Sequence, residues 1–459
     1  MSSEARVGQI GIGGQNPIRI QSMATVDTND TEGCVAQAKR IIDAGGELVR
    51  FTTQGTREAE NMKHISARLK ADGYTQPLVA DVHFTAHTAD VAAQYCEKVR
   101  INPGNYVDPG RTFKHLEYTD DEYAAELQKI ERQLVPFLNI CREHHTAVRI
   151  GVNHGSLSDR IMSRYGDTPE GIVESCMEFL RIFKREQFND VVISIKASNT
   201  VVMVQSVRLL VQAMDREDMH YPLHLGVTEA GEGEDGRIKS AVGIGALLTE
   251  GIGDTIRVSL SEEPECEIPV ARKLVDMIQE CSRLREEAEA SIKDDTITLA
   301  LDAPDWETLQ LKAAMAVGGL LIDRKATKLI VVPKSGSKFF TLHSSLFTSL
   351  ADAILQAARI KFTKTEYISC PGCGRTLYNL QDTIAKIKAA TKEFVGLKIG
   401  IMGCIVNGPG EMADADYGYV GAGRGKISLY KAKECVEKNI PEEEAVEKLL
   451  ELIRKDRIS

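Results

Sequence analysis

The stretches Ala147-Val-Arg-Ile-Gly-Val-Asn153 and Asp190-Val-Val-Ile-Ser-Ile-Lys-Ala-Ser198 decide the fold, because a helix-like segment, Pro169–Glu186, lies between them. Both stretches are short and rich in apolar and β-branched residues, as buried strands are. A strand, a helix and a second strand in this order form the repeating unit of a parallel sheet covered by helices. This part of the chain therefore predicts an α/β fold.

The same alternation continues in both directions from this unit. Helix-like stretches at Glu32–Ala44, Glu58–Asp72 and Ser240–Thr249 separate further strand-like segments. The eight predicted strands are Pro17–Met23, Glu47–Thr52, Pro77–Phe84, Lys98–Pro103, Ala147–Asn153, Asp190–Ser198, Pro222–Glu229 and Asp254–Leu260. Eight parallel strands close a (β/α)8 TIM barrel, which we predict here. An open doubly wound sheet is the alternative.

Polar residues stand at the ends of these predicted strands, where the catalytic groups of a TIM barrel lie. They are Arg50, Asp81 with His83, Arg100 with Asn102, Arg149 with Asn153, Lys196 with Ser198, Thr228 with Glu229, and Arg257 with Ser259. Five strand ends carry a fixed cation, and cations that converge on one mouth repel each other unless an anion lies between them. Arginine binds two phosphate oxygens at once, so this pattern predicts an anion pocket, with structural ion pairs as the alternative.

Two cysteine-containing stretches near the C-terminus point to metal chemistry. They are Ser369-Cys-Pro-Gly-Cys-Gly-Arg375, with Cys370 and Cys373, and Gly403-Cys-Ile-Val-Asn-Gly-Pro-Gly-Glu411, with Cys404 and Glu411. Thiolates are the natural ligands of iron–sulfur clusters, and small residues let backbone amides approach the sulfurs. Structural zinc is the alternative, but zinc requires four ligands, and no second C-x-x-C or histidine pair follows. Glu411 is either an oxygen ligand or a surface residue.

Composition limits the classes of partner and compartment. The 459 residues carry a net charge of −10, so a nucleic-acid-binding surface is not expected. The N-terminus is polar and no apolar run reaches the length of a membrane span, so neither secretion nor membrane insertion is predicted. Ten cysteines in such a chain favour reduced thiols and a cytoplasmic protein.

The chain divides into three predicted domains. Residues 1–281 form the barrel, and residues 282–364 form a short α/β insert in which the alternation breaks down. Strands are predicted there at Thr296–Leu301 and Lys328–Val332, and helices at Trp306–Leu321 and Ser345–Lys361. Residues 365–459 form an α/β domain with the cysteine motifs. It has predicted helices at Asn379–Thr391 and Pro441–Arg454 and strands at Leu397–Met402 and Lys426–Leu429.

Several motifs at both ends of the chain resemble the 4-hydroxy-3-methylbut-2-enyl diphosphate synthase family of the non-mevalonate isoprenoid pathway. Besides the loop that contains Cys404, they are Gly13-Gly-Gln-Asn-Pro-Ile-Arg-Ile-Gln-Ser-Met23, Val99-Arg-Ile-Asn-Pro-Gly-Asn105, Ser194-Ile-Lys-Ala-Ser198, Leu225-Gly-Val-Thr-Glu-Ala-Gly231 and Gly251-Ile-Gly-Asp-Thr-Ile-Arg-Val-Ser-Leu260. The resemblance implies a TIM barrel followed by a domain similar to sulfite and nitrite reductases. It also implies a 4Fe–4S cluster held by Cys370, Cys373, Cys404 and Glu411.

The reaction implied by this resemblance is the reductive ring opening of 2-C-methyl-D-erythritol 2,4-cyclodiphosphate, with electrons from ferredoxin or flavodoxin. The resemblance implies substrate-binding roles for Arg50, Asp81, His83, Arg100, Arg149, Asn153, Lys196, Thr228, Arg257 and Ser259. Glu229 is the carboxyl group best placed to protonate a leaving hydroxyl. Glu411 is a hard ligand for a soft cluster, so we expect it to leave more easily than a thiolate.

The middle of the chain departs from both forms of the family. The short form has almost nothing between barrel and cluster domain, and the long form has a large inserted domain. This chain resembles a long-type enzyme with a shortened insert. The resemblance therefore leaves open whether cluster and barrel meet within one chain or across a homodimer. An electron relay and a pterin-binding transferase with a zinc-binding tail are the competing functions.

Overall fold

The computed structural model describes residues 2–83, 85–109, 114–376, 378–405, 408–412 and 414–458. Phe84, at the end of a predicted strand, and Val406 and Asn407, within the Cys404 loop, lie outside the described residues. An N-terminal hairpin of β1 (Glu4–Val7) and β2 (Ile10–Gly13) precedes the barrel. Its Ala5 and Val7 pack against the first residues of the barrel strands, so the hairpin covers the N-terminal end of the barrel.

Eight parallel strands form the N-terminal barrel. They are β3 (Arg19–Met23), β4 (Leu48–Thr53), β5 (Leu78–Val82), β6 (Lys98–Ile101), β7 (Ala147–Asn153), β8 (Val191–Lys196), β9 (His224–Leu225) and β10 (Thr255–Ile256). Hydrogen bonds join neighbours in chain order from β3 to β8, while β10 lies between β3 and β9. The remaining gap lies between β8 and β9, and a single parallel bridge between Ile193 and Leu223 spans it. The barrel prediction is confirmed.

Helices surround the barrel. They are α1 (Thr31–Asp43), α2 (Thr56–Ala71), α3 (Ala86–Ala92), α4 (Pro103–Tyr106), α5 (Asp120–His144), α6 (Asp159–Tyr165), α7 (Pro169–Arg185), α8 (Thr200–Arg216), α9 (Gly233–Leu248) and α10 (Glu267–Asp276). In α7, Thr168 accepts a hydrogen bond from the Gly171 N–H and Pro169 occupies the first turn, so local sequence fixes where the helix begins. Short 3-10 helices lie at His154–Ser156 and Pro264–Cys266.

The middle segment forms a small strand–helix–strand unit. It contains α11 (Ile278–Ala290), β11 (Thr296–Leu301), α12 (Trp306–Ile322), β12 (Lys328–Pro333), a 3-10 helix (Lys338–Thr341) and α13 (Ser344–Ala357). Strands β11 and β12 pair in parallel. Helix α12 packs closely on α9, because a Cβ atom on Gly318 would lie 2.8 Å from the Val242 carbonyl oxygen. The middle segment therefore shares one hydrophobic core with the barrel.

The C-terminal segment has its own sheet and core. Its elements are β13 (Glu366–Ser369), α14 (Leu380–Thr391), β14 (Lys398–Met402), α15 (Gly408–Glu411), β15 (Tyr417–Gly423), β16 (Lys426–Lys431), β17 (Glu434–Pro441) and α16 (Glu442–Ile458). The sheet runs in chain order from β13 to β17, parallel as far as β15 and antiparallel after it. Among all helices in the described ranges, none combines the length and hydrophobicity that a membrane span requires.

Candidate active site

One cavity of about 90 Å³ lies between the mouth of the barrel and the cysteine loops of the same chain. Fourteen of the fifteen residues predicted for the site line it: Arg50, Asp81, His83, Arg100, Arg149, Asn153, Lys196, Thr228, Glu229, Arg257, Ser259, Cys370, Cys373 and Cys404. Glu411 lies beside them and contacts Thr228. The structure thus brings the strand-end residues and the cysteine motifs together, although the role of each residue is still a prediction.

Asp81 is the carboxylate at the centre of the barrel cations. Its Oδ1 accepts a hydrogen bond from Arg100 Nη1 at 3.1 Å and lies 4.0 Å from Arg149 Nη2, while its Oδ2 lies 3.9 Å from Arg50 Nε. Burial alone would raise the pKa of Asp81, but the guanidinium groups of Arg50 and Arg100 hold it well below its usual range. Because one carboxylate faces three arginines, these four side chains together keep a net positive charge.

Several cationic donors in the cavity are buried and unused. Arg149 is 1% exposed, and its Nε and Nη1 form no hydrogen bond with any described residue; the same holds for Arg100 Nε. Burial, together with repulsion from Arg50 and Arg149, lowers the pKa of Lys196 well below its usual value. A buried donor left without an acceptor is costly, and so are cations that repel one another. An anion in the cavity would relieve both costs.

Two of the predicted cations also have neighbours that fix their positions. Arg257 donates to Glu267 through Nε at 3.0 Å and Nη2 at 2.8 Å. Arg50 Nη2 lies 2.7 Å from the Met23 sulfur, which is a weak acceptor. Burial lowers the pKa of Arg50 to about 10. Arg257 thus forms the structural ion pair that the sequence left open as an alternative. Arg50 has only a weak acceptor, so most of its donors can still bind an anion.

His83 faces the same arginines. Its Nε2 lies 2.6 Å from Arg100 Nη1, and burial followed by the surrounding cations lowers its pKa well below its usual value. A neutral imidazole can accept a hydrogen bond through Nε2, which suits a guanidinium donor. We therefore assign His83 as neutral.

Other strand-end residues have structural contacts: Asn102 donates to Ser156 at 2.7 Å, and Ser198 donates to the Glu411 carbonyl oxygen at 2.9 Å.

Two buried carboxyl groups lie at the cavity: Glu229 lines it, and Glu411 lies beside it. Thr228 Oγ1 donates to Glu411 Oε2 at 2.9 Å, while Glu411 Oε1 and Glu229 Oε2 have no hydrogen-bond partner among the described residues. Burial raises the pKa of Glu229, and burial together with the charge of Glu229 raises that of Glu411 well above its usual value. Burial therefore favours the protonated form of both carboxyl groups, and the titration of one affects the other.

The three cysteines approach one another on the C-terminal side of the cavity. Cys370 Sγ accepts a hydrogen bond from the Gly403 N–H at 3.2 Å, as a cluster thiolate would. A Cβ atom at Gly403 would lie 2.8 Å from Thr376 Oγ1, so a larger residue there would require the Thr376 side chain to move. Burial, followed by nearby acidic groups and thiols, raises the pKa of Cys370, and a bound cation would lower it. Within the described ranges, no three His, Cys, Asp or Glu side chains are placed to hold a single metal ion. The Cys370 thiol and the Gly403 N–H are groups of the kind that an iron–sulfur cluster uses.

Contacts within one chain hold the cysteine loops over the barrel. Glycines at Gly155, on the barrel side, and Gly410, in α15, let the two backbones touch. Ser261 Oγ lies within hydrogen-bonding distance of Ser369 and donates to the Cys370 carbonyl oxygen at 2.9 Å. Ala230 and Ser369 form a parallel β-bridge. The barrel residues and the cysteine loops of one chain thus lie around the same cavity.

Arg375 is the polar residue of the cavity that sequence reasoning did not assign to the site. It follows Cys373 by two residues and lines the cavity, with its Nη1 3.4 Å from His83 Nδ1. Its position in the cysteine motif was visible in the sequence, but its contact with the barrel depends on how the two parts of the chain pack. Met23 and Met402 also line the cavity.

Comparisons with known proteins show the family to which the chain belongs. The model of the GcpE TIM-barrel domain matches residues 2–272, and the model of the GcpE protein C-terminal domain matches residues 366–455. A relative from Bacteroides fragilis is 52% identical, with 99% of this chain and 95% of the relative covered. Relatives from Porphyromonas gingivalis and Akkermansia muciniphila are 44% and 40% identical, each with 99% of this chain covered and 97% and 96% of their own. All three are named 4-hydroxy-3-methylbut-2-en-1-yl diphosphate synthase (flavodoxin).

The relatives are longer than this chain. The alignment with the Bacteroides fragilis relative spans 600 positions, whereas the chain has 459 residues, so at least 141 of those positions have no counterpart here. Residues 273–365 lie between the two family models, where the sequence predicted a shortened insert. Family models over most of the chain and relatives that match it from end to end show that it belongs to the GcpE family of 4-hydroxy-3-methylbut-2-en-1-yl diphosphate synthases.

Proposed function

We propose that this enzyme converts 2-C-methyl-D-erythritol 2,4-cyclodiphosphate into 4-hydroxy-3-methylbut-2-enyl diphosphate, a step of isoprenoid biosynthesis. Two electrons and two protons enter, one carbon–oxygen bond of the ring breaks, and one water leaves. The observation that carries the proposal is the cavity itself, which has unused buried cationic donors on the barrel side and three cysteines on the other. The cationic wall can bind a doubly charged diphosphate, and the cysteine wall can hold a source of electrons.

The barrel residues bind and orient the substrate in this proposal. Arg149 and Arg100 supply buried donors that lack acceptors, and arginine forks match pairs of phosphate oxygens. Arg50 and Lys196 add charge, while Asp81 keeps the guanidinium groups in fixed directions. His83, Asn153 and Ser259 supply polar contacts in the cavity wall, and Arg257 contributes charge from a position fixed by Glu267. The resulting site holds the diphosphate and leaves the carbon skeleton directed at the cysteines.

Cys370, Cys373, Cys404 and Glu411 would hold the 4Fe–4S cluster. Bound there, it would supply the two electrons one at a time, with flavodoxin as the donor that the names of the relatives indicate and ferredoxin as the alternative donor. The thiols and the Gly403 N–H form a donor set of the kind that clusters require. The chain's own contribution is to place these ligands against the anion pocket without an intervening layer of protein.

Glu229 is the proton donor in this account. It is buried, it faces the cavity, and burial raises its pKa, so its carboxyl group can hold a proton until the leaving oxygen needs it. Thr228, the neighbouring residue, binds Glu411 and so fixes the relation between the two carboxyl groups. A proton delivered from Glu229 converts the leaving hydroxyl group into water.

Glu411 is the exchangeable member of the ligand set. Its carboxylate accepts a hydrogen bond from Thr228, so the barrel offers it a position away from the cysteines. A carboxylate is also a weaker ligand than a thiolate for a soft metal centre. We infer that Glu411 would give up its place among the ligands and stay bound to Thr228, as it is here, when substrate binds.

The division into a barrel at 1–281, an insert at 282–364 and a cluster domain at 365–459 is part of this proposal. Because barrel and cysteine residues of one chain line the same cavity, this proposal places the site within one chain, and a homodimer is not needed for it. None of the ten cysteines forms a disulfide in the described structure, which supports a reducing, cytoplasmic location.

Anaerobic reconstitution with iron and sulfide, followed by assay with the cyclodiphosphate and an artificial one-electron donor, tests the function. We expect a coloured protein, four irons per chain and reductant-dependent formation of the linear diphosphate. A protein that binds a cluster but shows no heat of binding with the cyclodiphosphate would instead be an electron relay. A colourless protein that retains stoichiometric zinc would contradict the proposal.

A further inference from the structure

Arg375 is placed unlike any other cation in the cavity. The other cations that line it come from the barrel, whereas Arg375 belongs to the C-terminal segment, two residues after Cys373. Its side chain is 9% exposed and crosses from the cysteine loop to the barrel mouth. Its Nη1 lies 3.4 Å from His83 Nδ1, and a second hydrogen bond links the guanidinium group to the Cys404 sulfur.

The local charges explain why a further cation is stable here. Asp81, on the barrel side, and the Cys373 and Cys404 sulfurs, on the C-terminal side, all attract the guanidinium group. The arginines of the mouth oppose it, since Arg100 and Arg50 experience its charge as repulsion. Arg375 therefore lies between Asp81 and the cysteine sulfurs and beside the arginines of the mouth. An additional anion in the cavity would shift that balance in its favour.

One donor of Arg375 has no acceptor. Its Nε forms no hydrogen bond with any residue that the structure describes, although the side chain is more than nine-tenths buried. The guanidinium group is planar and directs its five donors in fixed directions, so it can bind His83, a sulfur and a ligand oxygen at the same time. A buried arginine donor of this kind is costly unless a ligand satisfies it.

We propose that Arg375 is a positioning residue that binds the substrate and the cysteine ligands simultaneously, so that it both strengthens diphosphate binding and raises the reduction potential of the cluster. The claim about the reduction potential rests on the proposed function, whereas the claim about diphosphate binding rests only on the geometry. A positive charge and a hydrogen bond beside cluster sulfurs favour the reduced state, which carries one more electron. No barrel cation shares this position between substrate and thiolates.

The test compares wild type with R375Q, which removes the charge, and R375K, which keeps the charge but loses the planar fork. R185Q is the matched control, because Arg185 is an exposed arginine paired with Glu131 at 2.8 Å on the outside of the barrel. The first readout is the affinity of iron-free protein for inorganic pyrophosphate by calorimetry, which needs no cluster. We expect R375Q to bind about 10- to 100-fold more weakly, the range for a lost hydrogen bond to a charged group.

The second readout is the midpoint potential of the reconstituted protein, from a redox titration monitored by electron paramagnetic resonance. We expect R375Q to have a lower potential than wild type and R375K to remain close to wild type, with R185Q unchanged in both readouts. A purely structural role would not separate the potentials of R375Q and R375K. Equal pyrophosphate affinity in iron-free wild type and R375Q overturns the anion role, and equal potentials overturn the cluster role. If wild type itself holds no cluster, the proposed function fails, while the pyrophosphate comparison still decides the anion role.

Discussion

The Gly155–Gly410 contact offers a sharp test of how the two parts of the chain meet. A Cβ atom on Gly155 would lie 2.9 Å from Gly410 Cα and closer still to Gly410 C and Glu411 N. A Cβ atom on Gly410 would lie 2.6 Å from Gly155 Cα. All these neighbours are backbone atoms, so no side chain can rotate away. Either alanine therefore forces the cysteine loop and the barrel apart.

The size of the effect follows from the displacement. Ordinary contacts of a Cβ atom begin near 3.4 Å. Gly410→Ala thus has to separate the segments by at least about 0.8 Å, and by more at the Gly155 carbonyl group, which lies closer still; a misplacement near 1 Å costs about 100-fold in rate. Gly155→Ala is the cleaner variant, because it lies outside the cysteine loops. We expect it to lower kcat about 10- to 100-fold while the iron content per chain stays at the wild-type value.

The assay is turnover of the cyclodiphosphate by reconstituted protein with a saturating artificial reductant. Gly423→Ala is the matched control, since its Cβ atom would meet nothing closer than 4.0 Å. If Gly155→Ala turns over at the wild-type rate, the docking of the cysteine loop seen here is not the catalytic arrangement.

Three further predictions concern single side chains. Glu229→Gln removes the proton donor, so turnover should fall at least 100-fold while calorimetry shows pyrophosphate affinity within about threefold of wild type; normal turnover would exclude Glu229 as the acid. Cys404→Ser should reduce the iron content and visible absorbance after reconstitution, whereas Cys435→Ser, outside the cavity, should leave both unchanged; full iron loading of Cys404→Ser would remove that ligand. Burial, followed by the charge of Lys196, lowers the pKa of His224 well below its usual value, so the unfolded chain binds a proton more readily and stability decreases as pH falls below about 6.5. In urea unfolding, His224→Gln should remove up to about 1.4 kcal/mol per pH unit of that loss; identical slopes in wild type and variant would contradict the assignment.

The barrel could be predicted because its strands are continuous apolar runs. Strand β7 has the predicted bounds Ala147–Asn153, and the ends of most others differ by one to three residues. Strands β9 and β10 are only two residues long, although longer segments were predicted. The residues after β9 leave the regular ladder as the chain turns toward the mouth, where Glu229 adopts a positive φ of 48°. A left-handed residue at a functional position is not visible in an apolar pattern.

The C-terminal sheet was harder to predict for a different reason. Strand β17 (Glu434–Pro441) is largely exposed at the edge of the sheet, so it has no buried face to produce an alternating pattern. Strand β15 (Tyr417–Gly423) contains three glycines and resembled a loop. Tertiary pairing with β14 and β16 stabilises it, and single-sequence propensity does not include that contribution.

The site, too, contains residues whose positions could be predicted from the sequence and residues whose positions could not. The convergence of strand-end cations follows from barrel geometry, so Arg50, Arg100 and Arg149 could be predicted to meet. The roles of Arg375 and of the Gly155–Gly410 contact could not, because both depend on how the C-terminal segment docks on the barrel. The occupation of Arg257 by Glu267 was equally hidden, since the two residues meet only through the fold.

The most direct test of the central claim, that one chain supplies both halves of the site, is complementation between two inactive variants. Glu229→Gln has intact cysteines and a defective barrel, and Cys404→Ser has an intact barrel and a defective cysteine set. The two proteins are mixed, unfolded and refolded together, reconstituted and assayed for turnover of the cyclodiphosphate beside wild type treated identically. We expect an active wild type and a mixture as inactive as either variant, because each site lies within its own chain. A mixture that regains a substantial fraction of wild-type activity would show that barrel and cysteines from different chains form the site, and would contradict this account.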